Sequence, residues 1–580
     1  MIWLMKNRFD KAMFFINKCK FLKFKIFLSS IIKALVYILQ TVNLILLIFL
    51  MYDFYESNIL DKKAIIYLAG LFVLYLGLRF IDVYYSHYIS YDVIEKLRGD
   101  VFSHYYKISP GAVENIKVGD FVQMIINDIN VFEWFIAHIL TEWIAFLLIS
   151  IVVITLISLK SIASGIIIFL FLLFAIKLFI GSLDEKEKQG IEIKNMGGDL
   201  IANATDGILG FKELLFFDRE TDFFDKIEKK SKEYNKVSGK YSNKELKDNL
   251  VLDLLGLALF LIILIIFPAA TFEKIVYLAL VVAYYYFLRT CMHQTGNFGF
   301  IFGALNRLKN LYDIKPLIKE YGSNEIDRSK IDQGIEFLNC YFNYEKNPDK
   351  AILKDFSFKA NRGEKTVIVS ASGGGKSTIF KLINRYYELN GGHIKIFGRD
   401  IKSYTENTLR KNITTFSQNI FFFNDSLLNN FKYAKEDASI DEIEVLARKL
   451  NSYDMILAKE QGLDTLVKEA GQNYSGGELQ RLALIRGLLK DSPILLMDEV
   501  SSALDEKNEE FLNELLDEIK KDKVIIISAH KLSTIQNADR IIFIKDGRGE
   551  GTGKYDELIV NNKSFNELLM GSEWRRENEN

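Results

Sequence analysis

Six apolar runs in the first half of the chain, at about 27–52, 64–86, 134–158, 161–183, 250–271 and 274–296, most limit what this sequence can fold into. Each reaches or approaches the roughly 20 residues that carry a helix across a bilayer. Backbone in hydrocarbon must satisfy its own hydrogen bonds, so runs of this length predict membrane helices. The links between runs one and two, three and four, and five and six are short. Those after runs two and four, about 87–133 and 184–249, are long and charged. Lys6, Arg8, Lys11, Lys18, Lys20, Lys23 and Lys25 interleave with Phe14, Phe15, Ile16, Phe21, Leu22 and Phe24, which predicts an interfacial amphipathic segment over 1–25. With that basic end in the cytoplasm, the positive-inside rule puts both long links there and the short ones outside. An even number of spans returns the chain to the cytoplasm.

Composition changes near residue 310, from apolar runs to a βα-like pattern punctuated by glycine. Hydrophobic residues make up 49% and aromatics 13%, high for a soluble enzyme, while a net charge of −1 gives no basic field for nucleic acid. Cys19, Cys291 and Cys340 are scattered, as are the six histidines, so neither a disulfide framework nor a structural zinc site is expected. The first apolar run is long and lacks a small-residue cleavage site, so no cleavable signal peptide is expected.

Within the spans, polar residues are costly and mark candidate sites. Tyr37, Gln40 and Asn43 recur every three residues and are expected to share a face. Tyr75, Arg79 and Asp82 form a second stripe, and Tyr285, Arg289, His293 and Asn297 a third with a four-residue period. These stripes either line a translocation cavity or, for Arg79, Asp82, Arg289 and His293, lie on extensions past the hydrocarbon. Glu142, Lys177 and Asp253 stand singly and suit interfacial or paired structural roles. The long links read as stiff helices, with Tyr91–Tyr106 and Asp184–Asn195 of charged-helix composition. Val118–Asp128 and Asp206–Phe217 are their candidate contact segments towards the soluble half.

In the soluble half, Lys365–Ser370 reads as a buried strand, followed by Ala371–Gly375 and a helix opened by Lys376, Ser377 and Thr378. Ser372, Gly373, Gly374 and Gly375 let backbone amides close round phosphate, Lys376 adds charge, and the Ser377 hydroxyl suits Mg²⁺. This is a P-loop in which Ser370 stands where the first glycine is expected, a change expected to be tolerated. Asn473–Asp505 runs from a Ser475-Gly476-Gly477 turn through an amphipathic segment to the apolar strand Ile494–Met497 and the carboxylates Asp498 and Glu499. One carboxylate can hold Mg²⁺ and the other orient water.

Together these motifs resemble the nucleotide-binding domain of the ATP-binding cassette (ABC) transporter family, over roughly residues 330–570. The resemblance implies further roles. Tyr344 matches the aromatic that stacks on adenine, and Gln418 the glutamine that touches Mg²⁺ and communicates with the membrane domain. Thr465–Gly471 resembles the exporter X-loop, with Lys468 for a usual glycine. Tyr474–Glu478 matches the signature, with Glu478 for the commoner glutamine. Asp498 and Glu499 match the Walker B aspartate and catalytic glutamate, Ser502–Asp505 the D-loop, and His530 the switch histidine.

The expected fold is an all-α six-helix transmembrane domain resembling type IV ABC exporters, followed by an α/β P-loop NTPase domain of ABC type. Its divisions are 1–25 interfacial, 26–310 transmembrane, 311–332 linker, 333–570 nucleotide-binding and 571–580 polar tail. In this family ATP lies between the P-loop of one cassette and the signature of another, so Ser475, Gly476 and Gly477 would serve ATP held by a partner, with Asp505 a further nucleotide-binding candidate. The expected assembly is a dimer of half-transporters in the inner (plasma) membrane, homodimer favoured over heterodimer, with ATP and Mg²⁺ as cofactors. The expected activity is ATP-driven export or flipping of an amphipathic solute: peptide, modified peptide, lipid-linked molecule or drug. Tyr37, Gln40, Asn43, Tyr285, Arg289 and His293 are its candidate contacts. The alternatives are a heterodimeric exporter of cysteine- or glutathione-type molecules and an ATP-gated channel or regulator.

Overall fold

The structure, a computed structural model, describes residues 10–571 apart from 12, 19–21, 60, 109, 115, 117, 268–270, 295–297, 319, 469–470 and 502–503, and only the backbone of 118, 182, 183 and 271. Lys6, Arg8, Cys19, Lys20, Phe21, Asn297, Glu469, Ala470, Ser502 and nearly all of the polar tail therefore lie outside the described residues. The chain forms two compact units, residues 1–107 with 114–315, and 108–113 with 316–580.

The first unit is helical throughout its described secondary structure. Its long helices are α1 (Leu22–Ser57), α2 (Lys62–Lys107), α3 (Thr141–Lys160), α4 (Ile162–Leu209), α5 (Glu220–Ile266) and α6 (Thr271–Gln294), followed by α7 (Phe298–Asp313). Among the described residues six helices are long and apolar enough to cross a membrane; the third runs from Gly119 to Lys160 and includes two π-helical stretches ahead of α3. Helices α2, α4 and α5 have 46, 48 and 47 residues. At 1.5 Å per residue each is about 70 Å long, more than twice the hydrocarbon thickness, so the charged links are rods as their composition predicts. Ser161 ends one span and caps the next, its hydroxyl accepting from the Ser164 amide.

Packing in this unit joins small residues to buried charge. A Cβ on Gly190 of α4 would lie 2.7 Å from the Gly299 backbone of α7, so this close crossing requires glycine. Asp128 is fully buried and takes a 2.5 Å bond from Lys194 and a bidentate pair from Arg307 at 2.6 and 2.7 Å. Phe15 is also buried, edge-on to Phe132 and Tyr312, so this aromatic of the basic N-terminal segment packs on protein.

Asp128 also anchors the end of the expected contact segment Val118–Asp128. Val118–Asp128 is held within the first unit by these ion pairs, whereas residues 108–113 cluster with the second unit. There Tyr387 donates to the Gly111 carbonyl at 3.1 Å, and a Cβ on Gly111 would meet the Tyr387 ring at 2.7 Å.

In the second unit a sheet of order β10-β9-β3-β8-β7-β6 faces a smaller antiparallel sheet of order β2-β1-β4-β5. The strands are β1 (Ile335–Asn343), β2 (Ala351–Ala360), β3 (Lys365–Ser370), β4 (Gly391–Ile396), β5 (Arg399–Asp400), β6 (Ile413–Phe416), β7 (Ile494–Asp498), β8 (Val524–Ser528), β9 (Arg540–Lys545) and β10 (Arg548–Gly553). Strands β9, β3, β8, β7 and β6 are parallel and β10 pairs antiparallel at the edge. The period-2 alternation of strand side chains splits the apolar residues between two cores. Ile368, Leu496 and Ile526 pack with the small sheet and α8 (Lys376–Ile383); Val367, Val369, Leu495, Met497 and Ile525 pack with α9 (Gly476–Leu489) and α10 (Glu506–Ile519). Strands β3, β7 and β8 are thus covered on both faces, which places the loops at their carboxyl ends where α/β sheets bind ligands.

Candidate nucleotide site and the polar groups of the helical unit

Strand β3 ends in the P-loop. Gly373 and Gly375 have φ of 75° and 95°, which glycine adopts without strain, and Gly375 leads into α8. Ser370 is fully buried and absent from the positive-φ residues, so this position makes no conformational demand for glycine. Its hydroxyl instead sets the space: a Cβ on Gly374 would lie 2.5 Å from Ser370 Oγ. Lys376 is nearly buried, its Nζ 3.3 Å from the Ser370 carbonyl, and burial pushes its ammonium pKa below the usual lysine value, against the opposing pull of Glu499 and Asp498. A charge desolvated in this way gains most from an arriving anion. Ser372, Gly373 and Gly374 also border a cavity of about 730 Å³ that extends to Lys354 and Lys545.

The sheet brings the expected catalytic groups together. Glu499 follows β7 at φ 54°, a left-handed conformation uncommon for a residue with a long side chain and a frequent mark of functional sites. Its amide donates to the Ser528 carbonyl at 3.2 Å, Gln418 Nε2 donates to its Oε2 at 2.5 Å, and His530 Nε2 lies 2.9 Å from its Oε1. Asp498 accepts the Ser528 hydroxyl, its register partner on β8. Sequence reading missed Ser528; strand pairing of the two motif-bearing strands is the signal that finds it. Ser377, Asp498 and Gln418 offer hydroxyl, carboxylate and amide oxygens, the hard donors Mg²⁺ takes, so this set fits that ion. No group of three or more His, Cys, Asp or Glu among the described residues could itself hold a metal.

The remaining nucleotide residues are placed separately. Tyr344 is half-buried, edge-on to Phe342 and Tyr387, and its hydroxyl lies 3.0 Å from Thr378 Oγ1. Ser475 forms a capping box with Glu478 at the start of α9: the Ser475 hydroxyl accepts from the Glu478 amide at 3.3 Å, and the Ser475 amide donates to Glu478 Oε2 at 2.7 Å. A glutamate at this position thus fixes the turn, while Gly476 has nothing within 4 Å of where a Cβ would stand. Asp505 caps α10, and its bonds from the Asn508 amide hold its carboxyl below the usual range. Lys468 keeps its side chain exposed, its amide donating to Asn473.

The six candidate solute contacts have different partners. Tyr37, Gln40 and Asn43 fan over about 120° of α1, because steps of three residues drift by about 60° each. Tyr37 donates to Glu142 at 2.7 Å and stacks on Phe287; Asn43 is buried and donates to the Leu39 carbonyl; Gln40 is exposed. Lys33, which sequence reading passed over, donates to the Ala137 carbonyl between Asp82 and Glu142, at 3.9 and 3.8 Å. In the third stripe, Tyr285 and Arg289 both bond Asp253, at 2.5 and 2.7 Å, and line a recess of about 380 Å³; His293 is exposed.

A helical unit with six membrane-length spans joined to this P-loop and Walker B site defines an ABC transporter of exporter type. The family description of the ABC transporter transmembrane region matches residues 22–292, and that of the ABC transporter matches 353–502. The chain belongs to this family. It is 28% identical over 532 residues to YgaD of Bacillus subtilis (strain 168), provisionally named a multidrug export ATP-binding/permease protein, covering 88% of this chain and 90% of that protein. It is 38% identical over 282 residues to the ATP-dependent lipid A-core flippase of Vibrio parahaemolyticus, a match spanning 48% of each chain. A bacterial Atm1-family ABC exporter with ATP bound has the same fold, with TM-score 0.82 and 22% identity over 96% of this chain and 98% of that one. The protein is therefore a multi-pass membrane ATPase of the exporter type, a class whose members work as dimers.

Proposed function

We propose that the chain is a half-transporter that uses ATP hydrolysis to export or flip an amphipathic solute, working as a homodimer in the plasma membrane with its nucleotide-binding unit in the cytoplasm. The observation that carries the energetic part is Glu499, held in a left-handed backbone at the end of β7 between Gln418 and His530. Glu499 orients and deprotonates the attacking water, His530 steadies the γ-phosphate, and Lys376 with the P-loop amides holds the phosphates. Ser377, Asp498 and Gln418 would hold Mg²⁺, which when bound neutralises charge on the β and γ phosphates. Tyr344 supports adenine. Ser475, Gly476, Gly477 and Asp505 are left for ATP bound by the other chain. The short helix Phe211–Phe216, with Phe216 80% exposed, supports a surface completed by that second chain.

For the solute, the recess lined by Asp253, Phe260, Val282, Tyr285 and Arg289 supports an amphipathic molecule, since it sets an ion pair and a phenol into an apolar wall. The relatives named for multidrug export and for lipid A-core flipping agree with that class. Uptake of a solute panel into inverted vesicles, compared with the Glu499→Gln variant, tests the reading. ATP-dependent uptake of an amphiphile that disappears in the variant is expected; uptake that persists in the variant contradicts it.

A further inference from the structure

Helices α4, α5 and α6 enclose a second cavity, of about 190 Å³, that shares no residue with the Asp253–Arg289 recess. Its wall is apolar at Phe179, Leu252 and Met292 and polar at Lys186, Asp248 and Asn249. Lys186 is 7% exposed and, among the described residues, has no hydrogen-bond or ion-pair partner, although Asp248 and Glu245 attract it at longer range. Asp248 Oδ2 is buried and also lacks a hydrogen-bond partner. Two opposite charges that border one cavity without bonding each other are costly to fold around, and such groups persist where a ligand satisfies both. By contrast, the buried carboxylate of Asp128 is paired with Lys194 and Arg307.

We propose that this cavity binds the polar end of a zwitterionic amphiphile. An anionic group of the ligand meets the Lys186 ammonium, an N–H donor on its cationic end meets Asp248, and hydrocarbon lies against Phe179, Leu252 and Met292. A cavity somewhat larger than one that holds benzene suits a headgroup-sized moiety and not a whole lipid. The site goes beyond the export reading and stands whether or not its ligand is the exported solute.

The test is binding to the full-length chain in detergent, read by native mass spectrometry. The probes are dioleoyl phosphatidylethanolamine (anion plus N–H donor), phosphatidylcholine (no N–H donor), phosphatidylglycerol (anion alone) and free phosphoethanolamine. We expect the ethanolamine lipid to bind about tenfold tighter than the other two lipids. Lys186→Met and Asp248→Asn should each remove that preference, and Lys186→Met should raise the thermal unfolding midpoint because it removes an unpaired buried charge. Competition by phosphoethanolamine as strong as by the lipid supports a soluble zwitterion as the ligand; competition by the lipid alone supports the membrane as its source. Equal binding of the three lipids, or a preference unchanged in both variants, overturns the proposal. So does a lowered midpoint in both variants, which marks a structural ion pair.

Discussion

Glu499 is the side chain on which the proposed chemistry turns. Both carboxylate oxygens are engaged, by Gln418 and His530, and the backbone beneath is held in a conformation that costs a long side chain of order 1 kcal/mol. Glu499→Gln keeps the shape and removes the base, so ATP hydrolysis should fall by about two to four orders of magnitude while nucleotide binding remains, checked by phosphate release and equilibrium binding. A second residue-scale prediction concerns the departure in the P-loop. Because Ser370 Oγ occupies the space beside Gly374, Gly374→Ala should weaken ATP binding by about tenfold or more, and adding Ser370→Gly should recover part of the loss. Equal weakening in the single and double variants would show that Ser370 does not set the constraint. The types and order of these residues are legible in the sequence, because each motif is local. The φ of Glu499, the hydroxyl of Ser528 on Asp498 and the aim of Ser370 are not, since each arises from strands that meet only in the sheet.

At the scale of elements, length and hydropathy locate the spans, and the rods beyond them follow from charged-helix composition. Side-chain direction is less legible. A three-residue spacing drifts by about 60° per step, and Tyr37, Gln40 and Asn43 differ in burial, while the four-residue pair Tyr285 and Arg289 meets Asp253. Asp128, 179 residues from Arg307, is a contact no local pattern contains. It is fully buried beneath two cations, so Asp128→Asn leaves uncompensated charge and should destabilise the helical unit by about 3 kcal/mol, seen as a lower unfolding midpoint in detergent. Gly190→Val should act in the same direction by forcing α4 away from α7. An unchanged midpoint in either variant contradicts the packing described here.

At the scale of the whole molecule, the proposed function makes one stretch carry parts of two sites. Asn473–Asp505 supplies Asp498 and Glu499 for ATP on this chain's own Lys376, while Ser475 turns into its capping box at the start of α9, a helix N-terminus suited to a phosphate from elsewhere. The proposal that two copies complete each other's sites is therefore the central claim, and complementation between inactive variants tests it most directly. Lys376→Ala and Ser475→Arg are each expected to abolish ATP hydrolysis in a dimer of identical chains. Co-assembled in equal amounts, half of the dimers pair one variant with the other, and each such pair holds one intact P-loop facing one intact signature. Hydrolysis should return to about a quarter of the unmodified rate if the two sites act independently. A mixture as inactive as its two components would contradict the claim.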